Sequence, residues 1–184
     1  NPDLPACLKL KELQNHGQEL KCVAFTPSGG WSVFWGMNGN WSDGIPPAAF
    51  KKLTDLDKKK CELRFVAYGP DGSWVLRFDK AAVAYGDVPS GLAKALDDAV
   101  RQNNSVRCVA FARGDWLCLT TNSLITSNDG LAAAKLIAKY YKEARFPKWV
   151  AVDTSIGHPV ANEPRPEAPH PPPVTRSTPG KSGL

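Results

Sequence analysis

The sequence predicts an α+β fold of three tandem ββα repeats, capped by an N-terminal helix and a C-terminal strand. Three observations carry that prediction. Val23-Ala24-Phe25, Val66-Ala67-Tyr68 and Val109-Ala110-Phe111 recur at 43-residue intervals. A tryptophan follows each at a nearly fixed distance: Trp31, Trp74 and Trp116. Ile45-Pro46 and Val88-Pro89 supply a third landmark at the same period. A repeat of this length implies units that cannot bury their apolar faces alone and must stack on their neighbours.

Taken in order, Leu8 to about Gln18 reads as a helix ahead of the first hairpin. The second copy shows the unit most clearly. Arg64 to Phe78 holds two β-rich runs around Asp71-Gly72, a turn whose residues tolerate positive φ. Pairing the runs about a two-residue turn puts Phe65, Ala67 and Gly69 on one face with Trp74, Leu76 and Phe78. Val66 and Tyr68 then share the other face with Val75 and Arg77, because strand residues alternate. Val88 to Val100 follows as a helix, with Pro89 in its first turn and Leu92, Leu96 and Val100 as its stripe. The first copy repeats this with Ser28-Gly29 at the turn, Pro46-Pro47 at the helix start, and Phe50, Leu53 and Leu56 inside. The third ends in a helix from about Asp129 to Ala144, and Lys148 to Asp153 repeats the opening strand once more. Residues 1–20 thus form a cap, 21–153 the three repeats with a closing strand, and 154–184 a Pro-rich extended tail. The tail holds seven prolines between His158 and Pro173, a composition suited to polyproline II and unable to build a core.

Composition narrows the function classes. The chain has 184 residues, 42% of them hydrophobic, enough for one domain with a sizeable core. A net charge of +5 permits an anionic partner without demanding one. No apolar run approaches the ~20 residues that a membrane-spanning helix needs. A start at Asn1 rather than Met fits a fragment, a processed form or a trimmed chain. Cys22, Cys108 and Cys118 fall in apolar slots of the repeat, so these cysteines read as small buried hydrophobes. That usage favours a reducing compartment, cytoplasm or nucleus, while the sequons at Asn40 and Asn103 weigh toward secretion. No CxxC or Cys/His metal spacing occurs, and no Ser/His/Asp or Cys/His pairing suggests catalysis. No cofactor is implied.

Val-Ala-Phe-Thr-Pro-Ser-Gly-Gly-Trp and Val-Ala-Tyr-Gly-Pro-Asp-Gly-Ser-Trp resemble the strand phrase of WD40 repeats, although no Trp-Asp dipeptide closes a unit. They are more similar to the Gly-Pro-Asp-Gly-x-Trp hairpin repeats of fungal and protist proteins, over about residues 21–145. That resemblance implies a Trp hairpin followed by a short Leu-Pro-type helix, and no catalytic residues.

Residues that break the repeat are the candidate site. Trp41 stands where the second copy has Ala84, on the glycine-rich stretch Gly36 to Gly44, among Asn38, Asn40 and Asp43. An aromatic with amides and a carboxylate suits a sugar or a peptide. Arg77 and Tyr85, with Lys80, Arg64 and Lys58 to Lys60, suit phosphates with aromatic interleaving. Trp31, Trp74 and Trp116, repeated at one slot, read as packing residues. The sequence therefore predicts a non-catalytic interaction or scaffold module that binds a protein partner through a sheet face, the Pro-rich tail or both. Carbohydrate binding through Trp41 and single-stranded nucleic-acid binding through Arg77 are the alternatives.

Overall fold

The computed structural model describes residues 5–112 and 114–128, Lys135, and the strand pairs 151–152 and 159–160. Among the described residues, three three-stranded antiparallel sheets, one two-stranded pair and three complete α-helices form a mixed α/β structure. Helix α1 (Pro5–Asn15) precedes sheet 1, which is β1 (Leu20–Phe25), β2 (Trp31–Trp35) and β3 (Gly39–Asp43). Helix α2 (Pro47–Lys58) precedes sheet 2, with β4 (Leu63–Tyr68), β5 (Trp74–Phe78) and β6 (Ala82–Gly86). Helix α3 (Ser90–Arg101) precedes sheet 3, with β7 (Val106–Ala112), β8 (Asp115–Thr120) and β9 (Leu124–Thr126). Strand β10 (Ala151–Val152) pairs antiparallel with β11 (Pro159–Val160) and lies beside β7. The rest of the proposed last helix and of the Pro-rich tail lies outside the described residues.

Each sheet has one strand more than the hairpin expected from sequence. The stretch from Gly36 to Gly44, whose sequence suits either a glycine-rich connection or a strand continuation with local Asn/Gly turns, contains edge strand β3. Its Asn, Ser and Gly content suits an edge strand, whose outer edge has no neighbour among the described residues to favour β-branched side chains. The chain turns back into β3 at Gly36 and into β6 at Asp79, both with positive φ. Such left-handed residues recur at matching places elsewhere, at Gly17, Lys60 and Asn103 after the three helices and at Gly44 and Asp87 before α2 and α3.

The predicted faces were displaced by one residue. The second hairpin pairs Gly69 with Ser73 through a 2.9 Å backbone bond, leaving a three-residue loop, Pro70-Asp71-Gly72. Asp71 and Gly72 do adopt positive φ (55° and 77°). The extra loop residue sets Trp74 opposite Tyr68, and Leu76 opposite Val66. A one-residue slip exchanges every side chain between faces, so Trp74 lies with Tyr68 and Val66 rather than with Ala67 and Gly69. Its indole covers a glycine nonetheless, Gly86 on β6, where a Cβ would stand 2.6 Å from the indole nitrogen. The space over Gly69 is filled instead by Phe111 from sheet 3.

The helices begin as the prolines predict. The Pro46 and Pro89 carbonyls accept the first helical bonds from Phe50 and Ala93, both at 3.0 Å. Their buried stripes differ from expectation: Ala49, Leu53 and Leu56 in α2, and Leu92, Ala95, Leu96 and Ala99 in α3. Phe50 and Val100 are exposed. At 3.6 residues per turn a buried face recurs at i, i+3, i+4 and i+7, and a residue at i+8 has rotated about 80° away.

Calling the Trp-bearing face of each sheet its front, three cores alternate along the chain. Helix α1 packs on the front of sheet 1, around Ala6, Leu13, Trp31 and Val33. Helix α2 and the back of sheet 1 (Cys22, Ala24, Phe34) meet the front of sheet 2 (Leu63, Val66, Tyr68, Trp74, Leu76). Helix α3 and the back of sheet 2 (Phe65, Ala67, Val75) meet the front of sheet 3 (Val106, Val109, Phe111, Trp116, Cys118). Trp31, Trp74 and Trp116 are all buried, as expected of packing residues. None of the five cysteines forms a disulfide. Cys118 is fully buried, whereas Cys22 and Cys108 are half-buried, less enclosed than their apolar slots suggested. Burial pushes the Cys22 thiol up to about 11, and the Cys118 thiol, beside Cys108, up to about 12.

Candidate functional site

The three fronts share one pattern of side chains, and two of them are closed. In sheet 2, Leu63, Val66 and Tyr68 are 1, 5 and 7% exposed; in sheet 3, Val106, Val109 and Phe111 are 1, 4 and 6% exposed. The same slots in sheet 1 hold Leu20, Val23 and Phe25, which are 42, 39 and 55% exposed. Helix α1 covers the Trp31 and Val33 part of this front, just as α2 and α3 cover theirs. No preceding sheet stands over β1 among the described residues, so its apolar side chains face solvent. Trp41 is paired with Val33 on the same front and is 52% exposed. Together they make an apolar strip from Phe25 through Val23 to Leu20, with Trp41 on the far strand.

Of the residues singled out in the sequence, Trp41 belongs to this strip. Its ring lies 4.5 Å from Lys9 Nζ of α1, which is also 5.4 Å from the Trp35 ring. Lys9 pairs as well with Glu12 at 2.8 Å. Of the other members of that cluster, Asp43 alone shares the face of Trp41. Asn40 pairs with Phe34 and so points to the opposite face from Trp41. Asn38 Nδ2 donates to Asp57 of α2 at 3.1 Å, while Asp43, paired with Trp31 on β2, stays on the front beside Trp41 at the strand's end. The structure thus splits the proposed sugar-binding group between two faces and a helix contact.

Arg77 and Tyr85 share the back of sheet 2, since their partners Val83 and Val75 alternate with them in register. Tyr85 Oη donates to Asp97 of α3 at 2.8 Å, and this bond is the main reason its phenol pKa is raised. It is tied to the helix rather than open for stacking. Arg77 Nη2 donates to the Lys80 carbonyl at 2.6 Å and to Ser105 Oγ at 3.1 Å. Lys58 ends α2, with Lys59 and Lys60 just after it, where cations complement the helix dipole.

Sequence reasoning passed over Leu20, Val23 and Phe25 because they obey the repeat. The signal that marks them is their place in the first copy. A residue whose equivalents are covered by a preceding sheet stands open where no such sheet occurs. The inner interfaces show what this front accepts. Tyr68 Oη shares a 2.6 Å hydrogen bond with buried Ser32 Oγ on the back of sheet 1, and Ser32 also meets Ser42 Oγ at 2.7 Å. Phe111 fills the space over Gly69. Each central aromatic of a front therefore lands on a small residue of the facing back.

Among the described residues, no group of three or more His, Cys, Asp or Glu is arranged to hold a metal ion. No helix among them is long and apolar enough to cross a membrane. No protein-family model, curated protein or solved structure matches this chain.

Proposed function

We propose that the chain is a tandem array of βββα units working as a non-catalytic interaction module, and that it receives a protein partner on the front of sheet 1. The single observation that carries this reading is the exposure of Leu20, Val23, Phe25 and Trp41 on a face whose equivalents are buried twice elsewhere in the same chain. The array reading is supported by the sequence period, by the identical strand order of the three sheets, and by left-handed residues at matching positions after each helix. Burying a Leu, Val or Phe side chain fully is worth roughly 1.5–3 kcal/mol, so a partner that closes this strip gains several such contributions. The inner interfaces suggest its chemistry: a β-sheet face with a Ser or Gly beneath Phe25.

A pull-down with the whole chain tests the reading. The wild type is compared with a Phe25→Asp, Trp41→Asp double variant, whose sites are already in water and whose fold should be kept. A protein retained by the wild type and lost by the variant is expected. Equal recovery by both would remove the front of sheet 1 as the docking face. The same comparison on a chain ending at Asp153 separates any contribution of the Pro-rich tail.

A further inference from the structure

The three opening strands share an irregularity that the function above does not use. Each carries a β-bulge at the same place: between Leu20 and Cys22 in β1, Leu63 and Phe65 in β4, and Val106 and Cys108 in β7. The bulged residue is basic every time: Lys21, Arg64 and Arg107. A bulge re-aims its side chain away from the regular alternation and often sits where a strand serves a site. Strand β1 neighbours β4, and β4 neighbours β7, so the three cations form a row across the sheets. Lys148 holds the matching place ahead of β10 but lies outside the described residues.

The row is neutralised at one end only. Glu62 Oε1 accepts from Lys21 Nζ and Glu62 Oε2 from Arg64 Nη2, each at 2.5 Å. Two residues before Arg107, where Glu62 precedes Arg64, the chain has Ser105. Ser105 draws in another cation, Arg77, through its 3.1 Å contact with Nη2. Arg64 Nε and Arg77 Nη2 donate to the neighbouring carbonyls of Asp79 and Lys80, which brings the two guanidiniums to the same turn. The carboxylates nearby are Glu62 and Asp79, whose Oδ1 accepts the Glu62 N–H at 2.8 Å. Four cations thus face two carboxylates. Arg107 is exposed and has no ion pair among the described residues. Arg77 Nε is buried without a hydrogen-bond partner.

We propose that this row, Lys21, Arg64 and Arg107 with Arg77 behind it, binds a linear phosphate polyanion, held chiefly at its Arg107 end. Guanidinium forks match phosphate oxygens in pairs of parallel hydrogen bonds, and a row of cations suits several anionic groups in line. Burial and the adjacent Arg64 and Arg107 charges lower the Arg77 pKa, the response expected of a cation held beside others. A bound phosphate relieves that repulsion.

Calorimetric titration of the whole chain tests this with inorganic tripolyphosphate, a twelve-nucleotide oligo(dT) and poly-glutamate as probes. Tripolyphosphate should bind at low salt and weaken as salt rises. Arg107→Glu should weaken it by about tenfold or more, whereas Lys51→Glu, an equal charge change at an exposed position on α2, should have less than about a twofold effect. Both sites are exposed, so folding is not at stake, and a thermal melt of each variant verifies that. Oligo(dT) binding that is lost in Arg107→Glu would identify a nucleic-acid backbone as the source of the phosphates. Tripolyphosphate binding alone would identify a compact oligophosphate, and either result supports the site. No tripolyphosphate binding, equal loss in both variants, or poly-glutamate binding as tight as tripolyphosphate would overturn it.

Discussion

Phe25, Tyr68 and Phe111 occupy one slot in three sheets of the same strand order, yet only Phe25 stands in solvent. Tyr68 is capped by Ser32 on the sheet before it, and Phe111 by Gly69. The intrinsic hydrophobicity of the three residues does not explain the difference. What differs is the neighbour: sheets 2 and 3 each have a sheet packed on their front, and among the described residues sheet 1 has only α1. In a stacked structure the same side chain is core or contact surface according to its position along the stack. The front of sheet 1 therefore resembles an interior interface laid open.

The comparison breaks most sharply under truncation of the aromatic. Phe111→Ala should cost about 3–5 kcal/mol, the usual range for a buried Phe, read from the midpoint of urea unfolding. Phe25→Ala should change stability by less than about 1 kcal/mol, because its side chain is already half in water. Equal losses would mean that Phe25 is covered in solution. Alkaline pH gives the next largest contrast. Desolvation pushes the Tyr68 phenol up to about 12, against the opposing Ser32 hydrogen bond, with Cys22 adding to the rise. A folded pKa above the unfolded value near 10 stabilises the fold fully below about pH 10. That stability is lost as pH rises toward 12, up to about 2–3 kcal/mol. Tyr68→Phe should flatten this part of the pH–stability curve, whereas Phe25→Tyr, with its phenol in water, should leave it unchanged. Cys22 and Cys118 lose their own contributions over a similar range in both variants, so the difference between variants isolates Tyr68. The smallest contrast concerns two glycines. A Cβ on Gly86 would stand 2.6 Å from the buried Trp74 indole, and one on Gly39 would stand 2.5 Å from that of Trp35. Gly86→Ala should cost about 1–3 kcal/mol by overpacking. Gly39→Ala should cost less, because Trp35 is only half-buried whereas Trp74 is enclosed. Thermal melts of the two variants, measured together, decide it.

Much of this was legible in the chain. The hairpin strands, the helix starts at Pro46 and Pro89 and the core role of the three tryptophans follow from turn chemistry, proline geometry and the period, all local or repetitive signals. The candidate site was legible only in part. Trp41 was visible because it departs from the repeat, while Phe25 was invisible because it conforms. Asn40 and Asp43 are close in sequence but fall on opposite faces of β3, because the register of that strand, which decides the faces, is set by β2. The basic bulges were equally hidden, since a bulge is defined by the strand opposite it.

The sequence by itself determined the first two strands of each three-stranded sheet, the helices that follow Pro46 and Pro89, the 43-residue spacing of its landmarks, and which side chains are large and apolar. These depend on contacts within a few residues or on a pattern that recurs. Only the tertiary structure decided the register of each hairpin, the face that each tryptophan occupies, and the open front of sheet 1. One more residue in a loop reverses every face of a strand, and exposure depends on what is stacked above it, which no residue encodes alone.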